Sequence, residues 1–310
     1  MRNIPVLFAK GKSLAEAYEN ALIELYKNGG RIKTQYDKEG DPLSIDSTMN
    51  ITIEEPLTDP MIHKAFPGSI YDLREYVMEL EGAKDNWVKN IDDPNDTRWT
   101  YTYHGRFAHC GSYKKKTLDK NEKINDDFSC LGKDGYAVGD NINQFDYVVD
   151  KLSKQPFTRQ AQMITWITPL DIYDYDCPCL QSWWGRIMEE DDVWYLNYNM
   201  RIRSNDCWGA CMMNMFGLTM MTKELIADKI AEKTGRKVLL GRMNWHADSW
   251  HIYGKDIQQA KERLFDRISK TSFQDRIYNF YDPDIQEMYN ECEPDILKKI
   301  ENKNIEYKNV

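Results

Sequence analysis

A strictly alternating stretch from Val193 to Arg203 constrains the fold of this chain more than any other part of it. Apolar and polar side chains take turns along it, which is the pattern of a long β-strand with one face on a hydrophobic core. The side chains predicted to face the core are Trp194, Leu196, Tyr198, Met200 and Ile202, and those predicted to face the other way are Tyr195, Asn197, Asn199, Arg201 and Arg203. The polar face is expected either to line a cavity or to belong to an edge strand or a salt-bridged interface.

A long helix is predicted shortly after this strand, from about Met212 to Thr234, and Gly235 is expected to end it. Its broad apolar face consists of Met213, Phe216, Met220, Met221, Leu225, Ile226 and Ile230. The methionines are interpreted mainly as core residues, and Gly217 weakens the helix preference slightly. Together with the elements on either side, this strand and helix predict an α+β fold with a large mixed or antiparallel sheet flanked by helices.

Helix and strand signals also precede this segment. The pattern Ser13-Leu14-Ala15-Glu16 is a capping box that begins a helix, and Gly29-Gly30 is predicted to end it with a left-handed residue. Asn50 to Glu54 alternates like a strand, and Ser69 begins a helix that runs to Gly82. Residues 83–139 are predicted to be a loop with short elements or, alternatively, a mobile substrate lid. The remaining predicted elements are a helix from Ile142 to Leu152, strands at Gln160 to Ile167 and just before His251, and a charged helical tail from Asp256.

Composition limits the classes of function. The 310 residues, of which 41% are hydrophobic, are enough for a full core, and no linker-like tract divides residues 1–310, so we predict a single domain. A net charge of -9 disfavours a nucleic-acid partner but allows a nucleotide held by a few arginines. There is no apolar run long enough to span a bilayer and no signal-peptide pattern, so a cytoplasmic protein without a membrane partner is expected. Seven cysteines suit free thiols in a reducing compartment.

Cys179 is the leading candidate for chemistry. It follows Pro178, which gives the thiol a rigid, extended approach, and Arg203-Ser204 offers the forked cation and the hydroxyl that a phosphate monoester needs. On its own, a cysteine is more often a buried thiol than a nucleophile. The pairs Cys177 with Cys179 and Cys207 with Cys211 lack the histidines of a strong zinc signature, and we predict no metal site.

Four ordered motifs resemble the thymidylate synthase superfamily, which also contains the pyrimidine nucleotide hydroxymethylases. The motifs are Pro178-Cys179, Arg203-Ser204-Asn205-Asp206, Asn214 placed eleven residues after Arg203, and His251-Ile252-Tyr253. The resemblance runs from about residue 70 to 255. It implies a thymidylate synthase-like fold and a homodimer packed through the sheet.

Two catalytic residues follow from this resemblance. Cys179 matches the nucleophile that adds to C6 of the pyrimidine, and Glu75, seven residues before Gly82, matches the family's catalytic glutamate. The apolar stripe of the predicted helix nevertheless places Glu75 on the opposite, normally solvated face. Addition at C6 makes C5 nucleophilic towards a one-carbon unit, and Arg159 or Arg203 is expected to stabilise the thiolate.

The substrate-binding residues implied by the resemblance are Arg159, Arg203, Ser204, Asp206, Asn214, His251 and Tyr253. Arg203 and Ser204 would hold the 5′-phosphate, and Arg159 would reach the phosphate in the partner subunit of the homodimer. His251 and Tyr253 would bind the sugar 3′-hydroxyl, although His251 could equally be a structural histidine. An asparagine at position 214 matches the O4 and N3–H of uracil, so we favour dUMP over a cytosine nucleotide.

The implied function is transfer of a one-carbon unit from 5,10-methylenetetrahydrofolate to C5 of a pyrimidine nucleoside monophosphate, with dUMP to dTMP favoured. The chain departs from the synthase pattern at Leu180 and Trp184, where the family has His and Gln, and at Asp248-Ser249, where it has Gly-Asp. These departures leave open whether hydride or water completes the reaction. The alternatives are therefore a hydroxymethylase acting on dUMP, dCMP or CMP and a nucleotide-binding relative without an activated thiol.

Overall fold

A seven-stranded mixed sheet forms the centre of the computed structural model, which describes residues 2–89, 95–110, 142–172 and 174–308. The strands of the molecule are β1 Val6–Gly11, β2 Gly30–Ile32, β3 Ser44–Ile53, β4 Ile62–His63, β5 Gln162–Ile164, β6 Leu180–Glu190, β7 Val193–Asp206, β8 Val238–Ile252 and β9 Ile277–Tyr278. The large sheet has the order β1-β3-β8-β7-β6-β5, with β2 also paired to β3, and β4 and β9 form a separate pair. The pairs β1–β3 and β7–β8 are parallel and the others are antiparallel, which confirms the predicted large mixed sheet.

Helices flank this sheet. They are α1 Leu14–Asn28, α2 Ile70–Leu80, α3 Tyr103–Ala108, α4 Gln144–Lys154, α5 Thr168–Asp171, α6 Cys211–Thr222, α7 Asp228–Thr234, α8 Ile257–Ala260, α9 Pro283–Glu291 and α10 Glu293–Lys308. A π-helical turn, Lys223–Ala227, joins α6 to α7 without a break, so the helix predicted from Met212 to Thr234 is confirmed. Within the described ranges, no helix combines the length and the apolar character needed to cross a membrane.

The alternation that predicted β7 is confirmed. All five side chains expected in the core are buried, with at most 6% of their surface exposed. The opposite face is partly or fully exposed. β6 is the antiparallel neighbour of β7, and the two strands are joined by the tight turn Asp191-Asp192, in which both residues have positive φ.

The end of α1 differs from the prediction. Gly29 is extended, with φ -69° and ψ 150°, so the predicted left-handed ending is wrong. Space explains the glycine instead, because a Cβ atom there would lie 2.5 Å from the carbonyl oxygen of Leu25 and 2.6 Å from Ile45 Cγ2. The capping box is also incomplete: Ser13 accepts from the Glu16 N–H, but the Glu16 carboxylate accepts from the Lys12 N–H rather than from that of Ser13. Gly235, by contrast, ends α7 in the predicted left-handed conformation, with φ 68°.

Gly217 brings α2 and α6 into close contact. A Cβ atom at this position would lie 2.5 Å from Cδ1 of Tyr76, so only glycine leaves room for the tyrosine ring. The glycine that weakened the helix prediction is thus a packing residue. It determines where the Tyr76 hydroxyl lies in the site described next.

Other predicted elements are partly confirmed. The strand expected from Gln160 to Ile167 is limited to Gln162–Ile164, and the helix expected from Ile142 to Leu152 runs over Gln144–Lys154. The described part of residues 83–139 contains only a short turn, Asp85–Trp87, and α3, as a loop with short elements requires. Residues 90–94 and 111–139 of that segment lie outside the described residues, and the lid alternative stays a prediction.

Candidate active site

A cavity of about 420 Å³ lies between the sheet and the N-terminal ends of α3 and α6. Five of the predicted site residues line it: Cys179, Ser204, Asp206, Asn214 and Tyr253. They come from the start of β6, the end of β7, the first turns of α6 and the segment after β8. The parallel β7–β8 pairing and the antiparallel β6–β7 pairing bring these strand ends together. Tyr195, Asn197, Asn199 and Arg201, on the polar face of β7, do not line this cavity, and the cavity alternative for them stays a prediction.

Arg203 fixes the loop that carries the candidate nucleophile. Its backbone N–H donates to the carbonyl of Cys179 at 2.8 Å. Its side chain donates from Nε to the carbonyl of Pro178 at 3.0 Å and from Nη2 to that of Cys177 at 2.6 Å. On the other side, the Leu180 N–H donates to the Tyr103 hydroxyl at 3.2 Å. Arg203 is therefore first a positioning residue for Cys179 and does not itself line the cavity.

Two opposing effects act on the Cys179 thiol. Burial raises its pKa, and the positive charge of Arg203 lowers it by less, while Asp176 adds to the rise. The net direction is upward, so the substrate-free thiol is mostly protonated at neutral pH. A base or a bound substrate is needed to draw off the proton. Tyr103 also lines the cavity, and burial and the nearby thiol raise the pKa of its hydroxyl.

Asn214 presents its amide at the floor of the cavity. Its Oδ1 accepts from Asn205 Nδ2 at 3.2 Å, and its Nδ2 donates to the Tyr76 hydroxyl at 2.8 Å. Asn205 is buried and accepts in turn from the indole N–H of Trp245 at 3.2 Å. All four residues line the cavity. The amide predicted to read the pyrimidine is thus part of a fixed chain of hydrogen bonds.

Asp206, Tyr253 and His251 lie at the end of the cavity near the start of α6. Asp206 Oδ1 accepts from the backbone N–H groups of Trp208 at 3.1 Å and Gly209 at 2.8 Å, and burial raises the pKa of its carboxyl. Burial and the Asp206 charge raise the pKa of Tyr253 to about 12. His251 is buried behind Tyr253, with its ring centroid 4.6 Å away, and does not line the cavity. Its Nδ1 contacts Ser249 Oγ at 3.0 Å, whereas Nε2 has no hydrogen-bond partner among the described residues.

Two carboxylates of α2 divide the region beside this cavity. Glu75 lines a second cavity of about 390 Å³, and Glu79 lines both cavities. Lys84 lies between them, 2.8 Å from Glu75 and 3.2 Å from Glu79. Lys299 from α10 donates to both carboxylate oxygens of Glu75 at 2.8 Å.

The solvated position expected for Glu75 from the helix stripe is wrong. Only 9% of its surface is exposed, because the two lysines and α10 cover it. Burial would raise the pKa of Glu75, but the hydrogen bonds from Lys299 and Lys84 outweigh it and lower the pKa. Glu79 shows the reverse, since burial raises its pKa and Lys84 offsets only part of the rise.

Sequence reasoning missed four residues of this site: Tyr76, Glu79, Lys84 and Tyr103. Glu79 follows Glu75 at the i+4 spacing that puts two helical side chains on one face, and that spacing was a usable signal. Lys84 and Tyr103 lie in the aperiodic segment after α2, where no pattern indicates what a side chain faces. The position of Tyr76 depends on Gly217, whose packing role is visible only in the fold.

Arg159 is exposed and does not line the cavity within one chain. Its carbonyl accepts from the indole N–H of Trp184 at 3.1 Å, which holds this segment at the edge of the sheet. The role predicted for Arg159 in a partner subunit stays a prediction.

One group of described side chains could hold a metal ion, namely Asp85, His104 and His109. Asp85 Oδ2 lies 2.7 Å from His104 Nδ1, and its other oxygen accepts from the Thr102 hydroxyl at 2.6 Å. These contacts are explained by their role in tying the start of α3 to the turn at Asp85, because Thr102 also caps that helix. Cys177, Cys179, Cys207, Cys211 and Cys292 are free thiols.

A mixed sheet that places a cysteine, a serine and an asparagine around one cavity has the architecture of the thymidylate synthase fold. A family model described as "Thymidylate synthase" matches residues 72–289, well over half of the chain, and the chain belongs to this family. The family is one of folate-dependent enzymes that act on pyrimidine nucleotides.

Similar proteins agree with this assignment. A protein of Methanosarcina barkeri named "Putative thymidylate synthase" is 26% identical over 247 residues, which cover 80% of this chain and 89% of that protein. One of the same name from Methanocaldococcus jannaschii is 27% identical over 276 residues, which cover 86% and 96% of the two chains. The solved structure of thermostable thymidylate synthase A from Bacillus subtilis superposes with a TM-score of 0.53 at 17% identity, covers 82% of this chain and 84% of its own, and supports the fold.

Proposed function

We propose that this protein transfers a one-carbon unit from 5,10-methylenetetrahydrofolate to C5 of dUMP and forms dTMP. The observation that carries the proposal is the single cavity in which the Cys179 thiol, the Ser204 hydroxyl and the Asn214 amide meet. A nucleophile, a phosphate ligand and a base reader are the groups that a pyrimidine nucleotide alkylation needs. The cavity volume of about 420 Å³ is also in the range that suits a small-molecule site.

The proposed binding mode follows from the positions of Asn214, Cys179 and Ser204 on the cavity wall. With the base against Asn214, C6 lies at Cys179 and the phosphate at Ser204. The Tyr253 side chain, which lines the cavity, is then available to a sugar hydroxyl, with the His251 ring packed behind it. Cys179 bonds to C6 through sulfur while its proton passes to a carboxylate of the cavity such as Glu79, and C5 then attacks the one-carbon unit. The carbon–sulfur bond breaks again when C5 loses its proton and the thiolate is eliminated.

The second cavity suits the folate. Phe66, Trp99 and Met213 supply apolar surface for a flat ring system, while Asp72 and Glu75 offer acceptors for ring N–H groups. When bound there, the folate supplies the methylene group and the hydride. The cavities share Tyr76, Glu79 and Trp99, so the two ligands would be in contact.

A homodimer packed through the exposed face of the sheet completes the proposal. Phe8 and Met188 on that face expose 70% and 58% of their surface, which is costly for large apolar side chains on an isolated sheet. The face also carries Trp184, whose indole binds the Arg159 segment. Arg159 therefore lies where a partner subunit would meet it, and its guanidinium is proposed to reach the partner's phosphate.

Hydroxymethylation is the second candidate, and Glu79 favours it. A partly buried carboxylate with a raised pKa, on the same cavity as the Cys179 thiol, is suited to take a proton from water. If water rather than hydride attacks the exocyclic methylene group, the product is a hydroxymethyl nucleotide and tetrahydrofolate is released.

The test uses the full chain with dUMP and 5,10-methylenetetrahydrofolate, and the product is weighed by mass spectrometry. A methylated nucleotide with dihydrofolate is expected, whereas a hydroxymethylated one with tetrahydrofolate would establish the second candidate. Incubation with 5-fluoro-dUMP and folate should give a covalent adduct with the native protein and with the matched control Cys177→Ser, but not with Cys179→Ser. Absence of an adduct with the native protein would overturn both candidates and leave a nucleotide binder.

A further inference from the structure

The hydrogen-bond chain behind Asn214 has a fixed direction. It runs from Trp245 to Asn205, then to Asn214, and ends on the Tyr76 hydroxyl, with distances of 3.2, 3.2 and 2.8 Å. An indole N–H can only donate, so the atom of Asn205 that faces Trp245 must be its oxygen. The Asn205 amide group then points its N–H donors at Asn214, whose facing atom must therefore be an oxygen too.

The direction matters because an asparagine amide has two possible orientations. If Asn214 turned end for end, its NH₂ group would meet the NH₂ group of Asn205, and two donors would face each other in a buried site. Asn205 cannot turn to relieve this contact, because its own NH₂ would then face the indole N–H of Trp245. Tyr76 imposes no preference, since a hydroxyl both donates and accepts.

We propose that Trp245 and Asn205 are positioning residues that lock the Asn214 amide for uracil and against cytosine, an inference that rests on the proposed function. In the locked orientation, Oδ1 keeps a lone pair for the N3–H of uracil and Nδ2 keeps a hydrogen for O4. Cytosine presents a bare N3 and an amino group at those places, so it needs the reversed amide. The base preference is therefore set by the residues that orient Asn214.

The substitution Asn205→Asp tests the direction of the chain. A carboxylate still accepts from the Trp245 indole, but it also accepts from Asn214. The NH₂ group of Asn214 is then drawn towards position 205 and faces N3 of the base, and its oxygen faces the place of O4 in uracil or of the amino group in cytosine. The ratio of the dissociation constants for dCMP and dUMP, measured by titration calorimetry, is expected to fall by at least about tenfold, the factor that ~1.4 kcal/mol gives. If Asn205 had a purely structural role, the substitution would weaken the binding of both nucleotides alike and leave the ratio of their dissociation constants unchanged.

Two further variants keep the test decisive. Asn205→Ser adds no charge, and its hydroxyl can donate or accept, so the preference for dUMP over dCMP should become smaller without reversing. This variant decides the question if Asn205→Asp does not fold. Asn290→Asp, on an exposed helical position, controls for the added charge and should keep the native ratio. An unchanged ratio in folded Asn205→Asp and in Asn205→Ser would overturn the lock. Failure of the native protein to form the 5-fluoro-dUMP adduct would instead count against the proposed function.

Discussion

Glu75 and Glu79 are the same kind of side chain, one turn apart on α2, yet their surroundings shift their pKa values in opposite directions. Glu75 is held by two lysines, which lower its pKa, whereas Glu79 shares one of them and its pKa is raised by burial. The motif match selects Glu75, but Glu79 is the one of the two that lines the cavity of Cys179. The difference shows that position on a helix does not by itself identify a catalytic carboxylate. The number of cations that contact each carboxylate also matters, because it decides the direction of the pKa shift.

The largest expected effect separates the two carboxylates directly. E75Q is expected to lower kcat for product formation by about 10²- to 10⁴-fold, because it removes a general acid or base from the proposed folate cavity. E79Q is expected to reduce the rate by a smaller factor and to lower the share of any hydroxymethylated product. Rates and product masses measured side by side check both. A larger rate loss in E79Q than in E75Q would transfer the main catalytic role to Glu79.

Lys84 gives the next largest effect, because it is the cation that both carboxylates share. Its side chain is only 6% exposed. Replacement by methionine leaves Glu79 without its cation in a buried place, and the free energy of unfolding should fall by about 3 kcal/mol. Urea unfolding measures it, with Lys89→Met, a more exposed lysine of the same segment, as the matched control. A loss no larger than that of the control would show that Lys84 does not hold the pair together.

Lys299 gives the smallest effect, since its side chain is 53% exposed. The Lys299→Met variant should lose less than about 1 kcal/mol at neutral pH, and Lys298→Met on the same exposed surface should lose none. The pH dependence follows from the lowered pKa of Glu75. Its stabilisation of the folded state is fully present above the ordinary value of 4.5 and disappears as pH falls through the lowered pKa. The gap between native protein and variant should therefore close in acid; a constant gap from pH 7 to pH 3 would contradict the ion pair.

The elements with strong periodicity were predictable from the sequence. β7 shows this best, because a strand with one buried face must alternate, and all five of its core residues were identified. The motif residues Cys179, Ser204, Asp206, Asn214 and Tyr253 also meet at one cavity, as the ordered motifs indicated.

The remainder of the site depends on contacts that are distant in the chain. Part of the burial of Glu75 comes from Lys299, which is 224 positions away, and no local pattern can indicate such a partner. The prediction for the end of α1 failed for a similar reason, since a glycine is required at position 29 by the side chain of Ile45 rather than by its own backbone angles. The burial of His251 likewise depends on the rings and strands packed around it.

The turn at Asp191-Asp192 has a consequence for the position of the thiol. From this turn, β6 and β7 run side by side to Cys179 and Arg203. The two strands must therefore have matching lengths for these two residues to pair. Lengthening one strand by two residues would shift its far end by about 7 Å. Lengthening it by one residue would also turn its side chains to the opposite face of the sheet. The reach of the sulfur towards a substrate is thus set by counting residues from the far end of the sheet.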